Sequence, residues 1–188
     1  MEKITFADVP SFEVDTYTKE NLSYPKAEPL EAYKLYTDKK TRLLRSADEI
    51  PFVYFVGSTH AYGGAVLGVE SVKKEELLLK FKALMAQYGL KPEDVYVYLG
   101  PSLTFSHVVV ERSLIEELMA KGYRAAAKRT DGVDFFDFRM MLVVMLRKLG
   151  LPFKNIYLDN HDTFECDALL YSELRGDEKK NPTYVSVK

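Results

Sequence analysis

The stretch Pro51-Phe52-Val53-Tyr54-Phe55-Val56-Gly57 decides the fold class. Its apolar run, rich in aromatic and β-branched residues, reads as a buried strand that Gly57 ends. The next turn is closed by Gly63-Gly64, and Ala65 to Val69 resumes a strand-like run. The two runs are expected to form a hairpin across the Gly57 to Gly64 loop. Ser71 to Tyr88 follows as a helix, because Leu77, Phe81, Leu84 and Tyr88 fall on one face. Ser71 is placed to cap its first turn and Gly89 to close it in a left-handed conformation.

Further along the chain, Val95-Tyr96-Val97-Tyr98-Leu99 reads as a strand stopped by Gly100-Pro101. Glu111 to Lys121 reads as a helix with Leu114, Ile115, Leu118 and Met119 inward. A third helix runs from about Asp137, its cap, to Leu149, with Gly150 as the stop. Met140 to Leu146 is apolar on every side, which predicts a helix buried between layers. Ile156-Tyr157-Leu158 and Tyr184-Val185-Ser186-Val187 add strands. Toward the N-terminus, Phe12 to Tyr17 alternates as a half-buried strand does. Beyond Pro25 and Pro29, Ala32 to Thr37 is a candidate strand, with Asp38-Lys39-Lys40 as a solvated turn. Strands alternating with helices give a mixed α/β (α+β) domain.

Composition bounds the function. The 188 residues suit one domain, and 47% hydrophobic with 29% charged residues excludes a wholly disordered chain. Lys plus Arg number 26 against 28 Asp plus Glu, a net charge of -2 that argues against a nucleic-acid binder. One cysteine, Cys166, excludes a disulfide framework and a thiolate-only metal cage. The longest apolar run falls far short of the roughly 20 residues of a membrane span, and Met1 to Asp8 lacks the apolar stretch of a signal peptide. The expectation is a cytoplasmic protein with no membrane or nucleic-acid partner.

Three histidines offer chemistry. His60 lies in the glycine-rich loop Gly57 to Gly64, either free to bind a metal or move a proton, or an ordinary turn residue. His107 precedes Val108-Val109-Val110 and reads as an edge residue. His161 sits in Asp159-Asn160-His161-Asp162-Thr163-Phe164-Glu165-Cys166-Asp167, a polar loop after a strand. With Cys166 it suggests an activated thiolate, the alternative being a solvated acidic loop around a small buried Cys. The phosphate-loop, dinucleotide, H-E-x-x-H and G-x-S-x-G signatures are absent.

The order of the segments carries more than any one of them. A helix closed by Gly89 leads to Leu99-Gly100-Pro101-Ser102-Leu103. Phe136-Asp137-Phe138 opens a helix ending Leu149-Gly150-Leu151, and Asp162-Thr163-Phe164, Tyr171-Ser172-Glu173-Leu174-Arg175 and Tyr184 to Val187 follow. This ordered set resembles the laccase-domain family of the YfiH type, whose members are known as polyphenol oxidoreductases and purine nucleoside phosphorylases. The likeness covers residues 46–188 as a family-like core of one 1–188 domain, with 1–45 poorly matched. It implies a layered α-β-β-α sandwich with mixed sheets, and a small-molecule ligand of the purine nucleoside class.

In that family two His and one Cys hold zinc or copper. Here Ala47-Asp48-Glu49-Ile50-Pro51 matches the A-D-C-x-P segment, with Glu49 in place of Cys. For the His of H-A-G-W-R-G, the letters favour His60-Ala61-Tyr62-Gly63-Gly64. The strand-to-helix register favours Glu70, with Lys74 at the arginine position, and is the better fit. The remaining His has no counterpart in residues 1–59. Leu142 and Met145 stand at a helical Asn and Gln, and Asp162 at the Cys of C-T-Y. The resemblance therefore implies a degraded metal site, with no cofactor expected and no metal ligands. Glu49, Glu70 and His60 are the candidate catalytic groups, and His161, Cys166 and Arg175 the further candidates. If the chain is an enzyme of the family's class, Glu49 and Glu70 are expected to converge in one pocket with His60 or His161. Two functions stay open: an altered enzyme acting on purine nucleosides, or a non-catalytic relative binding a small molecule or protein.

Overall fold

A computed structural model describes all residues 1–188. Two mixed sheets stack face to face, and the helices lie on one of them. The five-stranded sheet runs β1 (Lys3–Phe6), β2 (Phe12–Tyr17), β11 (Asn181–Val187), β4 (Arg42–Ser46) and β3 (Glu28–Pro29) in spatial order. Residues 1–45 thus share a sheet with the end of the chain. Thr183 stands opposite Thr16 on β2 and Leu44 on β4, so β11 lies between two N-terminal strands. The four-stranded sheet runs β10 (Ile156–Leu158), β7 (Val95–Leu99), β5 (Ile50–Val56) and β6 (Tyr62–Leu67). Only β10 and β7 in this sheet are parallel, and only β3 and β4 in the other.

The period of two in β2 sets the inter-sheet core. Phe12 and Val14 point inward with Phe6, Leu44 and Val185, and meet Val53, Phe55, Tyr62 and Tyr98 of the other sheet. Phe52, Tyr54, Val97 and Leu99, on the opposite pleat, face the helices. Those helices are α1 (Val69–Lys73), α2 (Glu76–Tyr88), α3 (Arg112–Ala120) and α4 (Phe138–Lys148). Leu142, Met145 and Leu146 of α4 are fully buried in this larger core, as its unbroken apolar run requires. The layered sandwich of mixed sheets with covering helices is as expected. The helices contribute to the core on the outer side of the four-stranded sheet, α3 against residues 124–136, and Tyr17, Tyr24 and Tyr184 pack ring to ring at the other sheet.

Several local expectations are corrected. Gly63 and Gly64 do not close a turn; they lie inside β6, opposite Tyr54 and Val53. A side chain on Gly63 would run into the Lys34 carbonyl and the Tyr54 ring, so the glycines admit the close approach of residues 33–36. That crossing segment is why Ala32 to Thr37 is not a strand: Tyr33 is left-handed (φ 56°), and only Tyr36 pairs with Tyr62. The helix expected from Ser71 to Tyr88 is two helices, broken where Glu75 turns left-handed (φ 55°). Tyr123 Oη donates to Glu75 Oε2 at 2.7 Å and holds the break. Gly68, not Ser71, caps the first helix; the Ser71 hydroxyl donates back to the Gly68 carbonyl at 3.0 Å. Tyr88 is 49% exposed, and Met85 takes the inward place. A hairpin of β8 (Ala127–Thr130) and β9 (Val133–Phe136) was not foreseen.

Candidate functional site

Glu49 lies in the turn between β4 and β5, and its place follows from the sheet register. Ile50 pairs with Leu67, which sets Glu49 beside Gly68 at the entrance to α1. A Cβ on Gly68 would stand 3.6 Å from Glu49 Cγ. Glu70 is two residues further on, so the strand-to-helix register brings the two acids to the same end of the hairpin. It does not turn them toward each other. Glu49 Oε2 accepts a hydrogen bond from the Ala47 backbone N–H at 2.8 Å, and Oε1 lies 3.8 Å from Lys180 Nζ. The Glu70 side chain is 77% exposed and pairs with Lys73 at 3.2 Å. An open cleft of about 500 Å³ beside Glu49 is lined by Ala47, Glu173, Asp177, Glu178, Lys179 and Lys180.

His60 does not join them. It sits in the hairpin loop beyond Val56, left-handed (φ 60°), with its ring edge-on to Phe12. The seven residues of β5 separate it from Glu49 by about 20 Å.

His161 and Cys166 occupy the loop after β10, where loops from the parallel strands β7 and β10 meet. Asp159 Oδ1 accepts the His161 backbone N–H at 2.8 Å and lies 2.9 Å from His161 Nδ1. No hydrogen bond joins His161 to Cys166. Burial pushes the Cys166 thiol up rather than down, the opposite of the shift an activated thiolate needs. Asp162, at the position of the family Cys, organises the loop instead. It accepts the Thr104 N–H at 2.8 Å, the Thr104 hydroxyl at 2.5 Å, and the Phe164 and Glu165 N–H groups at 2.8 and 2.9 Å. Burial raises its pKa, but the Thr104 and Glu165 bonds outweigh it and hold the carboxyl below its usual range. His107 Nε2 lies 2.9 Å from Glu165 Oε1 without hydrogen-bond geometry, and is buried without a partner.

Arg175 clamps the loop around it. It donates to the Thr163, Phe164 and Leu170 carbonyls at 3.2, 2.7 and 2.5 Å and to Asp177 Oδ2 at 2.6 Å. Its counterpart is Asp48, which the sequence reading quoted but did not single out. Asp48 Oδ1 accepts the Thr163 and Ser172 hydroxyls at 2.8 and 2.7 Å, and Oδ2 the Leu174 N–H at 2.7 Å. The signal available was an acid two residues before a strand that is apolar throughout. Arg139, the one charge in the opening turns of an apolar helix, was also missed; it is 8% exposed.

These residues do not fit the zinc or copper that the resemblance implies. No three His, Cys, Asp or Glu side chains come close enough to hold a metal ion. The acids at the two matched ligand positions are engaged by a backbone N–H and by lysines, and Leu142 and Met145 are sealed in the apolar core. No helix is long and apolar enough to cross a membrane.

Comparison with known proteins agrees with this framework. No curated protein matches the chain. The hypothetical protein YfiH of Bacillus licheniformis superposes with a TM-score of 0.71 at 15% identity, over 82% of this chain and 60% of that one. YlmD of Geobacillus stearothermophilus gives 0.70 at 18% identity over the same shares. A Neisseria meningitidis protein carrying the DUF152 family model gives 0.79 at 12% identity over 100% of both chains. At these identities the likeness is one of fold, and this chain spans 60% of the length of the first two. The family model described as multi-copper polyphenol oxidoreductase laccase matches residues 35–184, from the segment crossing β6 to the middle of β11. With the sheet order, the Glu49–Gly68 register and that match in agreement, the chain belongs to the multi-copper polyphenol oxidoreductase laccase family.

Proposed function

We propose that this chain is a non-catalytic member of its family, one that has lost the metal centre and keeps the framework to bind a small molecule or a partner protein. One observation carries the reading. The Glu49 carboxylate, at the position of the family Cys, is bonded to Ala47 N–H of its own turn and faced by Lys180, so it serves the turn rather than a ligand. A carboxylate in that state is a poor donor for copper, which favours thiolate and imidazole. The alternative activity, phosphorolysis or deamination of purine nucleosides, rests on the family resemblance alone. The balanced charge and single cysteine support a cytoplasmic location.

Elemental analysis of the purified protein, joined to incubation with adenosine, inosine and phosphate, tests the proposal. The expected result is no stoichiometric transition metal and no base release at high protein concentration. A stoichiometric zinc or copper ion, or phosphate-dependent base release, would overturn it in favour of the enzyme.

A further inference from the structure

The molecule buries two arginines and treats them differently. Arg42, 5% exposed, is fully partnered: Asp38 accepts at 2.6 and 2.9 Å, Tyr62 Oη accepts at 2.5 Å, and the Tyr36 ring lies under the guanidinium at 3.7 Å. Arg139, 8% exposed, has none of this. Its Nε is buried without a partner, and no side chain or carbonyl forms an ion pair or hydrogen bond with it. A buried guanidinium without compensation is costly. The cost is compounded by its position, second in the first turn of α4, where the helix dipole disfavours a cation.

Acids are near but committed elsewhere. Asp137 caps α4 by accepting the Met140 N–H at 3.0 Å; Asp159 is taken by His161 and Asp162 by Thr104 and its own loop. Burial lowers the Arg139 pKa, and the fields of Asp159, Asp137 and Asp162 oppose this; guanidinium groups stay protonated in proteins. The guanidinium lines a pocket of about 190 Å³ at the carboxyl ends of β7 and β10, where ligands of α/β sheets commonly enter. Phe105, Met140 and Leu158 form its apolar wall, Thr104 and the helix-capping Asp137 complete the lining, and exposed Asn160 stands at its rim.

We propose that this pocket binds a small monocarboxylate with a compact apolar body, its carboxylate paired with the Arg139 guanidinium. The planar fork suits a carboxylate, the wall suits an apolar body, and the volume admits little more. The three neighbouring aspartates disfavour a dianion, which separates this ligand class from phosphate and phosphate esters. None of the residues around Glu49 lines this pocket, so the proposal stands whether or not the family metal centre is retained.

Benzoate is the probe, with benzamide and inorganic phosphate as controls, titrated into the full chain by calorimetry and by NMR of the arginine Nε–Hε signals. Benzoate is expected to bind saturably and to shift the Arg139 signal, with both controls weaker by at least about tenfold, the loss of one charge-assisted pair. Arg139→Met should abolish binding and remain folded, since removal of an unpartnered buried charge relieves the core. Arg139→Lys should bind at least about tenfold more weakly than the parent, because an ammonium lacks the fork. Should Arg139→Met not fold, Asn160→Asp at the rim carries the test, and its added charge is expected to weaken benzoate. No saturable benzoate binding, unchanged affinity in Arg139→Met or in Asn160→Asp, or phosphate binding as tight as benzoate would overturn the proposal.

Discussion

Asp48 Oδ1 accepts the Ser172 hydroxyl at 2.7 Å across 124 residues of chain. The same carboxylate also takes the Thr163 hydroxyl and the Leu174 N–H, so one side chain ties the start of β5 to two loops near the C-terminus. Hydrogen bonds to a charged acceptor contribute about 1.5–3 kcal/mol each when their loss strands buried partners. Asp48→Ala is expected to destabilise the protein by about 3 kcal/mol, read from urea unfolding. Amide exchange should accelerate first around Thr163 and Leu174. A loss below about 0.5 kcal/mol would show that the three bonds are replaced by water.

Gly63 gives a steric expectation. Its missing Cβ leaves room for the Lys34 carbonyl and the Tyr54 ring, and neither backbone nor buried aromatic can step aside cheaply. Overpacking of this kind typically costs 1–3 kcal/mol, sometimes more. Gly63→Ala should lie at or above the top of that range, whereas Gly89→Ala, with open space around it, should cost only the left-handed strain. Thermal midpoints of the two variants compare them directly.

Asp162 sets an acid-end expectation. Its folded carboxyl is held below the ordinary value by the Thr104 and Glu165 bonds after burial has opposed them. A depressed folded pKa contributes stability in full above the unfolded value, near 3.9, and loses it as pH falls through the lowered folded value. Asp162→Asn should therefore lower the thermal midpoint at pH 7, and the gap to the parent should narrow steadily below about pH 4. A gap that stays constant down to pH 2 would assign the effect to packing alone.

Cys166 should be a slow thiol. Burial raises its pKa, so little thiolate is present at neutral pH. Its reaction with a disulfide reagent at pH 7 is expected to be at least about tenfold slower than that of free cysteine and to rise with pH through 9. A rate equal to or above the free amino acid would restore the thiolate reading of the His161 loop.

Much of this architecture was written in local periodicity. The period of two in Phe12 to Tyr17 and the apolar runs around Tyr54 and Val97 were strong enough to read, as were the caps Asp137 and Gly150. The misreadings have long-range causes. Ala32 to Thr37 has a strand's composition, but its conformation is dictated by passage over Gly63, thirty residues away. The break at Glu75 depends on a hydroxyl donated by Tyr123. The short strands of the N-terminal sheet and the β8–β9 hairpin are held by pairing partners rather than by their own pattern. At the site, residue types were legible and company was not. Glu49 and Glu70 were placed at one end of a hairpin, but that each is already occupied, and that His60 lies at the far end of β5, follows from register and side-chain direction. Arg139 looked like one charge on a helix; only its burial without a partner sets it apart.

The placement of β11 at the middle of its sheet has a consequence for synthesis. Until residues 181–187 have left the ribosome, β1–β2 and β3–β4 are two short ribbons with unpaired inner edges, and no hydrogen bond links them within that sheet. Closure therefore waits for β11 and has high contact order, and the two ribbons are at their most aggregation-prone until that strand pairs with both of them.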